Sequence, residues 1–326
     1  MLITTETTRS IAQANLVDQP NALRLIADLC AALRINEIDY CHWKSNAALD
    51  RSASGENDLD LLISRADAAR FTALLYQFGF KAAQVPAHKQ VPGILDFYGY
   101  DTPSGKLVHV HAHYQLVLGD DMTKNYRLPI EQAYLESATQ GKLFRVPAPE
   151  FELIVLVIRS MLKHSTGSAL LSGHAAIPKS MQSELDFLQA QANRSVVHAI
   201  LQQHLPFIAA DLFDRCLKSV QRDQPLLDRI RAGRELHHRL AAHARRAPAS
   251  DIALKFSRRA AGLIQSQILH VPTRRRLICG GAVIAVIGGD GAGKSTMVKE
   301  LKVWCAKAEV SLSDGLAEGA RALLAR

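Results

Sequence analysis

Asp58-Leu59-Asp60-Leu61-Leu62-Ile63 alternates acid and apolar residues and then becomes wholly apolar. Side chains two apart on a strand share a face. The segment therefore predicts a β-strand over 59–63 that enters a core and presents Asp58 and Asp60 side by side. Neighbouring carboxylates repel unless a cation sits between them, which suits a divalent ion used in phosphoryl or nucleotidyl transfer. The alternative is a strand edge bearing two solvated acids.

Working outward, 38–43 predicts a short strand ending in His42-Trp43-Lys44-Ser45-Asn46, and 21–33 predicts a helix capped by Asn21. Downstream, Ser64 and Asp67 have capping-box spacing before a helix through Phe71, Leu74, Leu75 and Phe78, which stops at Gly79. Residues 94–100 and 107–116 predict a hairpin around Asp101-Thr102-Pro103-Ser104-Gly105. On its second strand His109, His111 and His113 face one way. They could hold a transition metal, alone or with the aspartates, or be ordinary polar-face residues. Asp96 on the partner strand is a further acid that could join the pair.

After Pro147 and Pro149 strand signals fade and helices are predicted over 150–163, 179–191, 195–204, 209–220, 226–244 and 251–270. Beyond Pro272, residues 282–287 form a wholly apolar strand candidate. It runs into Gly288-Gly289-Asp290-Gly291-Ala292-Gly293-Lys294-Ser295-Thr296, a G-x-x-x-x-G-K-[ST] loop between strand and predicted helix. Glycines there let backbone N–H groups surround an anion. Lys294 would reach the β- and γ-phosphates and Ser295 would hold Mg²⁺. One apolar face is predicted for the following helix, through Met297, Val298, Leu301, Trp304, Cys305 and Ala308.

The chain has 326 residues, 48% hydrophobic and 21% charged, the balance of a globular protein of about two domains. Aromatics are 6%, which disfavours an aromatic base-stacking surface. Five widely spaced cysteines without C-x-x-C disfavour a disulfide framework or zinc ribbon and suit a reducing compartment. No secretory signal or membrane span is read, so a cytoplasmic location is expected. The net charge of +8 is uneven: 215–276 carries 15 Lys and Arg against 4 Asp and Glu. That block could bind polyanions, or be a solvated basic face. Phe256 is its one aromatic, which weakens the case for nucleic acid.

Two resemblances follow. Residues 290–296 match the D-G-x-G-K-S-T loop of the thymidylate kinase family. This implies ATP-dependent phosphorylation of a nucleoside monophosphate, with Asp290 facing the acceptor's sugar. Only 32 residues follow Lys294, too few for the further βα units of such a kinase, so a shortened P-loop segment over 272–326 is expected. Residues 22–120 resemble the nucleotidyltransferase superfamily through Lys44-Ser45, Asp58-Leu59-Asp60 and Val108-His109-Val110-His111. Lys-Ser stands for the usual glycine-containing turn, and His109 stands where a third carboxylate is looked for. Bacterial chains combine such a domain with a helical middle and a thymidylate-kinase-like end. The resemblance implies an α/β protein with a nucleotidyltransferase-like α+β domain over 1–146 and a helical domain over 147–271. It also implies Mg²⁺, ATP or another NTP, and an acceptor that it does not identify. Asp58 and Asp60 would be the catalytic metal ligands, and Lys44 and Ser45 the triphosphate contacts. Gly288, Gly291, Gly293, Lys294, Ser295 and Thr296 would be the loop contacts. The competing expectation is a non-catalytic nucleotide-binding or interaction protein.

Overall fold

The computed structural model describes residues 21–84, 90–165, 176–264, 276–277, 286, 289 and 291–307. It is an α/β fold. In chain order the first part runs α1 (Arg24–Ile35), β1 (Tyr40–His42), α2 (Leu49–Ala53), β2 (Leu59–Ile63), α3 (Ala68–Gln77), β3 (Lys81–Gln84), β4 (Ile94–Asp101) and β5 (Lys106–His113). Short pieces follow: β6 (Leu116–Leu118), β7 (Tyr126–Leu128), α4 (Glu131–Glu136), β8 (Thr139–Gln140) and β9 (Arg145–Val146). Then come α5 (Pro149–His164), α6 (Lys179–Gln191), α7 (Arg194–His204), α8 (Ala210–Ser219), α9 (Leu226–Arg239), α10 (Pro248–Leu263), β10 (Arg276–Leu277) and α11 (Lys294–Lys307).

The main sheet has the order β1-β2-β5-β4-β3-β10. Its one parallel pair among the described residues, β2 with β5, sets Asp60 beside His111 and Leu61 beside Ala112. Strand alternation then sorts the side chains. Leu59, Leu61, Ile63, Val108, Val110 and Ala112 join a core with α1 and α3. Asp60 and the three histidines point to the other face, as does Asp96, which the antiparallel β4–β5 register sets opposite His111. Leu62, Cys41 and Trp43 belong to a second core with Ile154, Leu185, Leu201, Phe213 and Leu236 of the helices. The sheet and helical segments therefore share one apolar core across position 147.

Local chemistry explains where the observed caps differ from expectation. The N-cap of α1 is Leu23, not Asn21, and its side chain makes no cap bond. The capping acceptor comes from the β4–β5 turn, where Asp101 Oδ1 accepts from Leu25 N at 2.7 Å. The Ser64–Asp67 capping box does not form either. A 3₁₀ turn at Arg65–Asp67 precedes α3, and the Asp67 carboxylate instead accepts from Asp39 N at 3.0 Å and Arg70 at 2.7 Å. Gly79 does end α3, at φ 78°, with Gly79 N and Phe80 N donating to Tyr76 O and Leu75 O in a Schellman pattern. The 226–244 segment stops as α-helix at Arg239, and α10 starts at Pro248, where a missing N–H leaves no bond unmade. The rest of the predicted 251–270 helix beyond 264 lies outside the described residues.

α9 packs closely on the end of α5. A Cβ at Gly233 would overlap the Ser165 side chain, whose Oγ donates to Met161 O at 2.5 Å. Gly233→Ala should thus destabilise the protein by about 2 kcal/mol in urea unfolding. Gly262 of α10 has nothing within 4 Å of a built Cβ. Gly262→Ala should instead be neutral or gain up to about 1 kcal/mol.

Candidate functional site

Strand β2 delivers Asp60 to a polar cleft of about 350 Å³ lined by His42, Lys44, Ser45, Ser52, Glu56, Asn57, Asp58, Asp60 and Arg159. A larger hollow of about 480 Å³ lies at α1 and the β4–β5 turn, away from the histidines. Its Asp101 is committed to Leu25 and Ser104.

The expected acid pair divides its attention. Asp60 Oδ1 lies 2.8 Å from Lys44 Nζ and 3.1 Å from His111 Nδ1. Burial alone would raise the Asp60 pKa, but Lys44 and His111 outweigh it and hold the carboxyl well below its ordinary range. Asp58, half-exposed just before the strand, lies 2.9 Å from His109 Nδ1. The other His109 nitrogen meets buried Asp96 at 2.8 Å, and the ring stacks on Tyr98. Burial opposes charge on His109, yet the bonds from Asp58 and Asp96 prevail and raise its pKa to about 9. His109 is thus an imidazolium bridging two carboxylates.

His111 and His113 behave differently. Burial keeps both neutral, and the offsetting pull of Asp60 is smaller. Asp60, His111 and His113 form the one group of three or more convergent His, Cys, Asp or Glu ligand atoms among the described residues. The group does not include Asp58.

Lys44 and Ser45, expected as triphosphate contacts, line the cleft, but the turn is already occupied. Ser45 is held in the left-handed region at φ 61°, where a glycine would be relaxed. Its N–H donates to Glu184 Oε1 at 2.9 Å. Asn46 N and Nδ2 donate to the two oxygens of Glu152, at 3.1 and 2.9 Å. Glu152 is buried, which pushes its carboxyl up to about 7 against the lowering effect of the Asn46 bonds. Arg159 reaches Glu184 at 3.3 Å. These three helical residues escaped the sequence reading because they lie more than a hundred positions from the turn they serve.

Lys124 also escaped it. It sits at φ 40° in the β6–β7 loop, close enough to Lys44, Asp60 and Asp96 to feel their charges. Burial first, then Lys44, lowers its pKa to about 8. α10 and its lead-in hold this loop. Arg246 Nη2 donates to Thr123 O at 2.7 Å, Arg258 Nη1 to Met122 O at 2.5 Å, and Lys255 pairs with Asp120. Part of the basic block is therefore a clamp on the site's loop rather than a free polyanion surface.

The glycine-rich loop is described only in part. Gly288, Asp290 and most of the 282–287 strand lie outside the described residues. Gly291 and Gly293 have φ 81° and 76°, and Lys294 Nζ donates to Gly289 O at 2.6 Å. Ser295 and Thr296 lie in the first turn of α11. Met297, Val298 and Val303 of that helix are exposed.

No family model, curated protein or solved structure matches this chain. Among the described residues no helix is long and apolar enough to cross a membrane.

Proposed function

We propose that this chain is a divalent-cation-dependent transferase acting on nucleotide phosphates, built on a nucleotidyltransferase-like plan with a thymidylate-kinase-like loop at its end. The observation that carries this reading is Asp60, delivered by a strand to a cleft that also holds Lys44, Ser45, Asp58 and Arg159. Asp60 would hold the cation, which supplies charge neutralisation at phosphate oxygens when bound. Asp58 stays on His109 at the wall of the cleft. Lys44 and Arg159 supply positive charge for a polyphosphate, and Lys294 and Ser295 offer a second phosphate contact. Titration calorimetry of Mg-ATP and Mg-dTTP into the full chain tests this. Binding is expected to require Mg²⁺ and to fall at least about tenfold in Asp58→Ala/Asp60→Ala. Loss confined to Lys294→Ala would move the nucleotide to the loop, and no binding to the wild type would refute the reading.

A non-catalytic binding protein is the second reading, favoured by one observation. The Ser45 and Asn46 amides, where a triphosphate would be cradled, already donate to the protein's own Glu184 and Glu152. Pyrophosphate release from an Mg-bound nucleoside triphosphate separates the two: turnover supports the enzyme, and binding without turnover supports this alternative.

A further inference from the structure

The histidine row carries an inference that does not depend on nucleotide binding. Asp60 Oδ1, His111 Nδ1 and His113 Nε2 form a triangle with edges of 3.1, 3.4 and 4.0 Å. A point about 2.1 Å from all three atoms lies inside it, the length of a zinc–imidazole or zinc–carboxylate bond. The atoms belong to adjacent parallel strands, so the sheet itself sets their spacing. His113 is fully buried and packs edge-on to Trp43, with ring centroids 4.8 Å apart. Its Nδ1 has no partner among the described residues. A ring with its proton on Nδ1 turns the Nε2 lone pair into the triangle.

We infer that Asp60, His111 and His113 bind one divalent first-row transition ion of the zinc class, in preference to Mg²⁺. Two imidazoles and one carboxylate are a borderline-soft set, whereas Mg²⁺ selects oxygen ligands in octahedral array. His109 takes no part, because Asp58 and Asp96 engage both of its nitrogens. Asp58 is excluded from the set by the same contact. Lys44 Nζ lies 2.8 Å from Asp60 Oδ1. A bound ion would take over the charge compensation of Asp60 and free the Lys44 ammonium for the cleft. Proton movement is confined to His111, whose Nδ1 proton passes to Nε2 or to solvent.

The test uses the full chain, stripped with a chelator and titrated with Co²⁺, followed by its visible ligand-field absorption, with Zn²⁺ as competitor. One Co²⁺ per chain is expected, displaced by Zn²⁺ and undisturbed by millimolar Mg²⁺. His111→Asn and Asp60→Asn should each weaken Co²⁺ binding at least about 100-fold, and Asp58→Asn less than about threefold. Circular dichroism of each variant checks that the fold persists. His111→Asn is suited to this, because its side chain is partly exposed whereas that of His113 is buried. Absence of the band in wild type would overturn the proposal. So would a band that survives both ligand variants, or one lost in Asp58→Asn and Asp60→Asn but kept in His111→Asn, which would place the ion between the acids.

Discussion

Replacing His109 with leucine is expected to remove about 3 kcal/mol of folding stability at neutral pH, read from urea unfolding. Asp96 is 4% exposed, and the His109 imidazolium is the cation that bridges it to Asp58. Taking the imidazolium from a buried carboxylate removes a large part of what offsets its desolvation, with Lys124 still near enough to feel the Asp96 charge. Leucine preserves much of the apolar contact with Tyr98, so the loss reports charge more than packing. A second substitution locates it. Asp96→Asn added to the leucine variant should restore at least about 1 kcal/mol, because a buried amide is less costly than a buried carboxylate. Asp58→Asn should restore little, since its side chain is 55% exposed and water screens it. Equal rescue by the two changes would contradict the bridge as described.

The second large effect is a pH dependence assigned to Glu152. Burial raises its pKa from 4.5 to about 7 in the folded protein, while hydrogen bonds from Asn46 work the other way. The folded state therefore binds this proton more tightly than the unfolded state, and stability declines as pH rises through that window. The penalty is absent below the unfolded value and reaches about 3 kcal/mol above pH 7. Acids such as Asp60, whose pKa is depressed, act in the opposite sense at lower pH, so the comparison must be with a variant. Glu152→Gln keeps an acceptor for Asn46 N but sets an NH₂ against Asn46 Nδ2, a pH-independent offset. Relative to wild type, the glutamine variant should gain about 3 kcal/mol between roughly pH 5 and pH 8. A constant difference across that range would show that Glu152 is ionised throughout.

The elements that local pattern specifies were readable. Alternation in 58–63 and in Leu107-Val108-His109-Val110-His111-Ala112-His113 placed Asp60 and the histidines on strands, and the α6 boundaries emerged as 179–191. Gly79 acted as the helix stop that its backbone freedom allows. What stayed hidden was long-range. Asp101 caps a helix 76 residues away. Glu152 and Glu184 engage the turn at Ser45 and Asn46 across 106 and 139 positions. A carboxylate on a helix carries no mark of which distant amide it will meet. The same gap explains the acid pair. Strand periodicity sets Asp58 and Asp60 on a common side, but the third partner of each was decided by β4 and β5, which put His109 against one and His111 against the other.

The grip of residues 245–258 on the β6–β7 loop has an architectural consequence. Asn125 exchanges bonds with Arg246 in both directions, and Arg258 reaches Met122 from 136 positions downstream. The part of the chain before position 147 is thus not self-sufficient. Cutting the polypeptide near 147 would strand Lys124 without its scaffold and expose Cys41, Trp43 and Leu62, so any shuffling of this unit between genes must carry the distal helices along as an inseparable cargo.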